Sequence, residues 1–154
     1  MGRELIIAVI VLAVVFAGGV AFAEKVTLSG ATYYVTVEEE DLKVPGCQIM
    51  RTRSVTGFAV AEHETYPRNG TCFTTSIIEA DGDSWVGGGY CYEVDEDGDS
   101  TWLWLELADT GGTFGFIRGT GKYQGVSGGG TSKVIRTWED GKFQVAWEVE
   151  YELP

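Results

Sequence analysis

The sequence predicts an all-β protein, a closed antiparallel up-and-down barrel of about eight strands preceded by a hydrophobic N-terminal segment. Three observations lead there. From Lys25 onward apolar and polar residues alternate with a period of two, and no window shows helical spacing. The dipeptides Asn69-Gly70, Asp81-Gly82, Asp97-Gly98 and Asp140-Gly141 punctuate the alternation, and each tolerates the positive φ of a two-residue hairpin. Between Gly111 and Gly130 glycine takes nine positions. Such a density costs backbone entropy and belongs where strands bend hard or approach closely.

Residues 1–23 differ from the rest. Leu5 to Ala23 carries no charge, Arg3 lies on its N-terminal side, and Ala21-Phe22-Ala23 fits an A-x-A cleavage site before Glu24. The pattern is that of a secretory signal peptide, and the same run is long enough to span a bilayer if it stays uncut. Either outcome exports residues 24–154, to the periplasm or the extracellular space, and membrane contact is expected only if the segment is retained. Those residues suffice for one domain with a core. The net charge of −12 repels nucleic acid and anionic lipid headgroups, so neither is an expected partner.

In chain order, Val44-Pro45-Gly46 reads as a turn, Gln48 to Val60 as one long or broken strand, and Ala61 to Arg68 as a loop. His63, the one histidine, lies between Glu62 and Glu64, which suits a solvated loop or an acid/base group. Asn69-Gly70-Thr71 matches a glycosylation sequon and equally a hairpin turn. The final strand is the clearest. Phe143, Val145, Trp147, Val149, Tyr151 and Leu153 share one face, while Gln144, Glu148, Glu150 and Glu152 share the other.

Hairpin registers sharpen the middle of the chain. A two-residue turn at Asp81-Gly82 sets Cys72 directly opposite Cys91, within disulfide reach, with Cys47 the odd thiol. A two-residue turn at Asp97-Gly98 sets Trp104 opposite Cys91 and Trp102 opposite Glu93, and a four-residue loop at Asp109–Gly112 sets Leu105 opposite Phe116. These registers place Phe73, Ile77, Val86, Tyr90, Tyr92, Leu103, Leu105, Leu107, Phe114 and Phe116 inside. Outside fall Cys72, Cys91, Trp85, Trp102 and Trp104, and a face with three tryptophans implies either an interface with a second copy or another macromolecule, or cover by the chain's own N-terminal strand or loop.

The glycine-rich stretch is no nucleotide loop. Gly121-Lys122 is followed by Tyr123 instead of Ser or Thr, and no helical period follows Gly119 and Gly121. The run Gly119-Thr120-Gly121-Lys122-Tyr123-Gln124-Gly125-Val126-Ser127-Gly128, after the aromatic strand Thr113 to Ile117, resembles the late glycine-rich segment of allene oxide cyclase-like and dirigent-like barrels. The resemblance covers the last third of the chain. It implies an eight-stranded, often trimeric barrel and hands over no catalytic residues.

Candidate chemistry is sparse. Asp95, Asp97 and Asp99, with Glu106, partly imitate a calcium loop, but the glycine stands fourth instead of sixth, and a hairpin turn explains the same residues. No catalytic triad, paired-histidine metal motif or cysteine–histidine pair is present, and no cofactor is called for. A barrel mouth could gather Arg51, Arg53, Glu79, Glu93, Arg118, Tyr90 or Tyr92 around a small ligand, with Arg118 directed inward. The expected function is an exported non-enzymatic barrel acting in binding or assembly through its aromatic face. The alternatives are a lipocalin-like carrier of a small apolar ligand and an isomerase or cyclase of the kind the resemblance suggests. A filled interior favours assembly, an apolar cavity favours a carrier, and a cavity with convergent polar groups of shifted pKa favours catalysis.

Overall fold

The computed structural model describes residues 24–45, 48–61, 68–79 and 82–154. The N-terminal segment, Cys47, His63 and Asp81 lie outside the described residues. Eight strands follow in order: β1 (Glu24–Val44), β2 (Gln48–Ala61), β3 (Arg68–Ile78), β4 (Trp85–Val94), β5 (Ser100–Ala108), β6 (Gly111–Gly119), β7 (Ser127–Thr137) and β8 (Lys142–Leu153). Each pairs antiparallel with the next, and β1 pairs with β8 from Glu24↔Leu153 to Val35↔Lys142, so the sheet closes on itself. Closure gives every strand a neighbour on both sides, which protects strand edges from pairing with other chains.

The Asp81-Gly82 hairpin has the register the sequence predicts. Cys72 pairs with Cys91, and the two form a disulfide. The next hairpin differs by one residue. Its loop is longer than two residues: Gly98 N donates to Asp95 O, Asp95 N donates to Asp99 O, and Gly98 takes φ +86°. The Asp95 carboxylate accepts the N–H groups of Asp97 and Asp99, at 2.9 and 3.0 Å, and so stabilises the longer loop. Val94 therefore pairs with Ser100, and Cys91 faces Leu103 instead of Trp104.

Strand side chains alternate with a period of two, so this slip inverts β3 and β4 relative to expectation. Phe73, Ile77, Val86, Tyr90 and Tyr92 are exposed on the outside, whereas Cys72, Cys91, Trp85 and Glu93 belong to the interior. At the β5–β6 turn the loop is two residues shorter than expected, and Leu105 faces Phe114. An error of two preserves the faces, and Leu103, Leu105, Leu107, Phe114 and Phe116 do line the interior. Ile117 is then an extra residue in β6, because Leu103 pairs with Phe116 while Trp102 pairs with Arg118. That bulge turns Arg118 outward, contrary to the inward position expected of it.

Asn69-Gly70 is part of β3, paired with Phe58 and Gly57 on one side and with Val94 and Glu93 on the other, and so forms no turn. Ladder pairing on both sides outweighs the turn preference of the dipeptide. β8 is as expected, its six apolar residues inward and its glutamates outward. A 3-10 turn at Gly121–Tyr123, which no periodicity announces, joins β6 to β7. Its Tyr123 and the following Val126 are buried, at the end where the even-numbered strands finish. The core is centred on Val55, Cys72, Cys91 and Leu103.

Candidate functional site: the barrel interior

The interior is a cavity of about 1110 Å³. Its walls are mostly apolar, with Leu105, Phe114, Phe116, Val145, Val149 and Tyr151 among the contributors. Glycine at inward positions lets large rings lie along the wall. A Cβ at Gly57 would sit 2.4 Å from the Tyr34 ring, and one at Gly30 would sit 2.6 Å from the Trp147 ring. Both rings thus rest on bare backbone, an arrangement seen where aromatics cover glycine in sheets. Tyr34 also stacks on Phe143 with centroids 5.2 Å apart.

Polar groups punctuate this wall. The Trp147 Nε1 donates to Thr32 Oγ1 at 3.0 Å. Burial, reinforced by the negative charge of Glu93, raises the Tyr34 phenol well above its usual range, so it stays protonated. Glu93 lines the cavity and accepts from Thr101 Oγ1 at 3.4 Å. Gly70 opposite gives the glutamate room, because a Cβ there would lie 3.2 Å from Glu93 Cγ.

Four charged residues of β1 and β2 form a lip at the end where the odd-numbered strands finish, and Asp109, Glu139 and Lys142 also border the cavity there. A bulge between Thr36 and Glu38 shifts the alternation of β1, so that Glu39 faces Arg53 and Asp41 faces Arg51 across the ladder. Arg51 grips Asp41 with two hydrogen bonds, Nε to Oδ1 at 2.7 Å and Nη2 to Oδ2 at 2.9 Å. The hydrogen bond from Arg51 lowers the Asp41 carboxyl below its ordinary range. Glu39 bridges both guanidiniums. Its Oε2 lies 2.7 Å from Arg53 Nε and 2.6 Å from Arg53 Nη2, and its Oε1 lies 3.2 Å from Arg51 Nε. Glu39, Arg51 and Arg53 all line the cavity, and the Arg53 guanidinium is 6.0 Å from the Phe143 ring centroid.

The remaining candidates lie elsewhere. Asp95, Asp97 and Asp99 converge on Lys122, whose Nζ is 2.9 Å from Asp95 Oδ2 and 2.8 Å from Asp97 Oδ2, while Lys122 N donates to Asp99 Oδ2. Glu106 is on the outer face of β5 and Glu79 is exposed beside the β3–β4 turn, both outside the cavity lining. Among the described residues no group of three metal-ligating side chains is assembled.

Trp102 and Trp104 are outside as expected, but Trp85 lines the cavity. Tyr90 and Tyr92, expected at the mouth, join the two outer tryptophans. Tyr92 packs on Trp102 with centroids 4.7 Å apart, Arg118 stacks over Trp102 at 4.1 Å, and the Trp104 ring covers Gly115. Sequence reasoning missed Tyr34 and Glu39. The pair Tyr33-Tyr34 puts one ring on each side of the sheet, and only the closed register says which is inside.

No family model matches the sequence, and no curated protein matches it. Among solved structures, the pterocarpan synthase dirigent protein GePTS1 matches with a TM-score of 0.57 at 10% identity, over 89% of this chain and 92% of that one. The chain has a dirigent-like β-barrel fold. A protein of unknown function of the DUF3224 family from Shewanella oneidensis MR-1 shares the barrel, with a TM-score of 0.52 at 13% identity, over 86% of this chain and 99% of that one. The dirigent side of the sequence resemblance is thus the side these structures bear out, at the level of fold. The disulfide of this dirigent-like barrel fits an oxidising, exported setting. Among the described residues no helix is long and apolar enough to cross a membrane.

Proposed function

We propose that this dirigent-like barrel is an exported, non-enzymatic protein that holds a small apolar molecule in its interior. The cavity supports the reading: about 1110 Å³ of mostly apolar space lies just above the usual size of ligand sites, about 300–1,000 Å³. The neutral Tyr34 phenol offers such a molecule one hydrogen bond. Apolar surface dominates the wall around the Tyr34 phenol and the Glu93 carboxylate, so binding is preferred to catalysis.

A neutral fluorescent probe, N-phenyl-1-naphthylamine, is expected to bind one per chain. Leu105→Trp, which adds bulk to the cavity wall, should weaken that binding by about tenfold or more while leaving the β-sheet circular-dichroism spectrum intact, a loss of about 1.4 kcal/mol. Unchanged probe binding in a folded Leu105→Trp protein would count against the interior as the site.

A specific observation favours assembly as an additional role. Over the outer faces of β2 to β6 the charged side chains among the described residues are Glu106 and Arg118, although the chain as a whole carries −12. Phe73, Tyr90 and Trp104 form a cross-strand row on that surface, with Tyr92 and Trp102 beside it. Aromatic residues and arginine on a charge-poor surface are the composition of an interface centre. The Trp102→Ser/Trp104→Ser double variant should shift sedimentation toward the monomer without loss of fold. Identical sedimentation of the two proteins would remove the assembly role.

A further inference from the structure

We infer that the lip formed by Arg51 and Arg53 is a head-group subsite selecting an apolar molecule that ends in a carboxylate, whose position the Glu39 side chain occupies. The inference rests on the interior reading above and adds the chemical class of the ligand.

The two lip carboxylates are not equivalent. Asp41 holds the Arg51 guanidinium by a two-point grip and is absent from the cavity lining, so it serves as a fixed counter-charge. Glu39 lies on the cavity side, with its side chain about a third exposed, and reaches both guanidiniums at once. The lip therefore already holds a carboxylate in the arrangement a ligand carboxylate would adopt, with one oxygen on the Arg53 fork and the other toward Arg51. Fork-shaped guanidinium donors match a planar carboxylate and bind it more strongly than a neutral hydroxyl.

Exchange is electrically feasible. If Glu39 rotates to solvent and a ligand carboxylate takes its place, the lip keeps two cations and two anions, and no additional charge is buried. A cationic head would instead face two guanidiniums. The apolar body then follows directly, because Arg53 lies over Phe143, Phe143 stacks on Tyr34, and both rings belong to the cavity wall. Among the described residues the opposite end offers the cavity no pair of guanidiniums. There the buried Tyr123 forms part of the lining, and Lys122 is engaged by Asp95 and Asp97.

The test is displacement of N-phenyl-1-naphthylamine from the folded protein by dodecanoate, dodecanol and dodecylamine, which share one tail. Dodecanoate should displace the probe at a concentration about tenfold below the other two, the margin expected of charge-assisted over neutral hydrogen bonds. Glu39→Gln should widen the margin by freeing Arg53. Arg53→Gln should abolish it while probe binding persists, and Arg53→Lys, which keeps charge but loses the fork, should fall between. Equal displacement by all three compounds, or a preference for dodecanoate that survives Arg53→Gln, overturns the lip assignment alone. Failure of the wild-type protein to bind the probe overturns the interior reading and the lip with it.

Discussion

Gly130→Val is expected to prevent the barrel from closing, giving a protein that lacks a cooperative unfolding transition or unfolds at much lower urea. A Cβ at this position would lie 1.9 Å from the Glu148 carbonyl oxygen and 2.8 Å from Phe114 Cζ. The carbonyl is backbone and cannot move aside without parting β7 from β8, where Gly130 pairs with Val149. On its other side Gly130 pairs with Phe114 in the β6–β7 seam, the shortest in the barrel, from Gly112↔Ser132 to Gly115↔Gly129. Overpacking in a tolerant core costs about 1–3 kcal/mol, and a rigid backbone obstacle at the weakest seam belongs at or above the upper end. Gly82→Ala supplies the contrast. Gly82 takes φ +78° but has nothing within 4 Å of its Cβ position, so only the backbone preference is lost, about 1 kcal/mol. Urea midpoints compare the two directly, and equal losses would show that closure does not depend on close approach at Gly130.

The second large effect is expected from the disulfide. Cys72 and Cys91 stand 19 residues apart, and a crosslink closing a loop of that size contributes about 3 kcal/mol, chiefly by restricting the unfolded chain. Both cysteines are buried in the interior wall beside Val55 and Leu103, so their replacement also removes packing. The Cys72→Ala/Cys91→Ala double variant should melt roughly 10 °C lower. Because the bridge is 3% exposed at each end, reductant should act on the native protein slowly and only through unfolding. Rapid native-state reduction without change in melting temperature would show that the bridge carries little of the stability.

Most of the differences between expectation and structure trace to one loop. Cys72–Cys91 could be derived from a single hairpin, because the Asp81-Gly82 turn alone sets that register. Everything beyond Val94 depended on the length of the next loop, and there the Asp95 side chain, by accepting two backbone N–H groups, makes a longer loop than Asp97-Gly98 suggests. One residue of difference moved Tyr90 and Tyr92 from mouth to exterior and Trp85 from exterior to cavity. At Ile117 a bulge did the same to Arg118. The β5–β6 error of two residues cost nothing, since a period of two is blind to it.

The lip was half legible. Arg51 and Arg53 stand two apart in a strand and so were bound to share a side, and both were candidates for the mouth. Glu39 joins them only because β1 carries a bulge after Thr36, which changes which of its glutamates face inward.

By itself the sequence determined the class of structure, the alternation of β8, the disulfide and the acidity, because each follows from neighbours along the chain or across one turn. Tertiary structure decided which side of each ribbon became the inside, and that the inside is a cavity instead of a packed core. The physical reason is that a barrel adds up every loop length and bulge around its circumference. Inward and outward are properties of the whole closed ring, set when β1 meets β8, and no local stretch contains them.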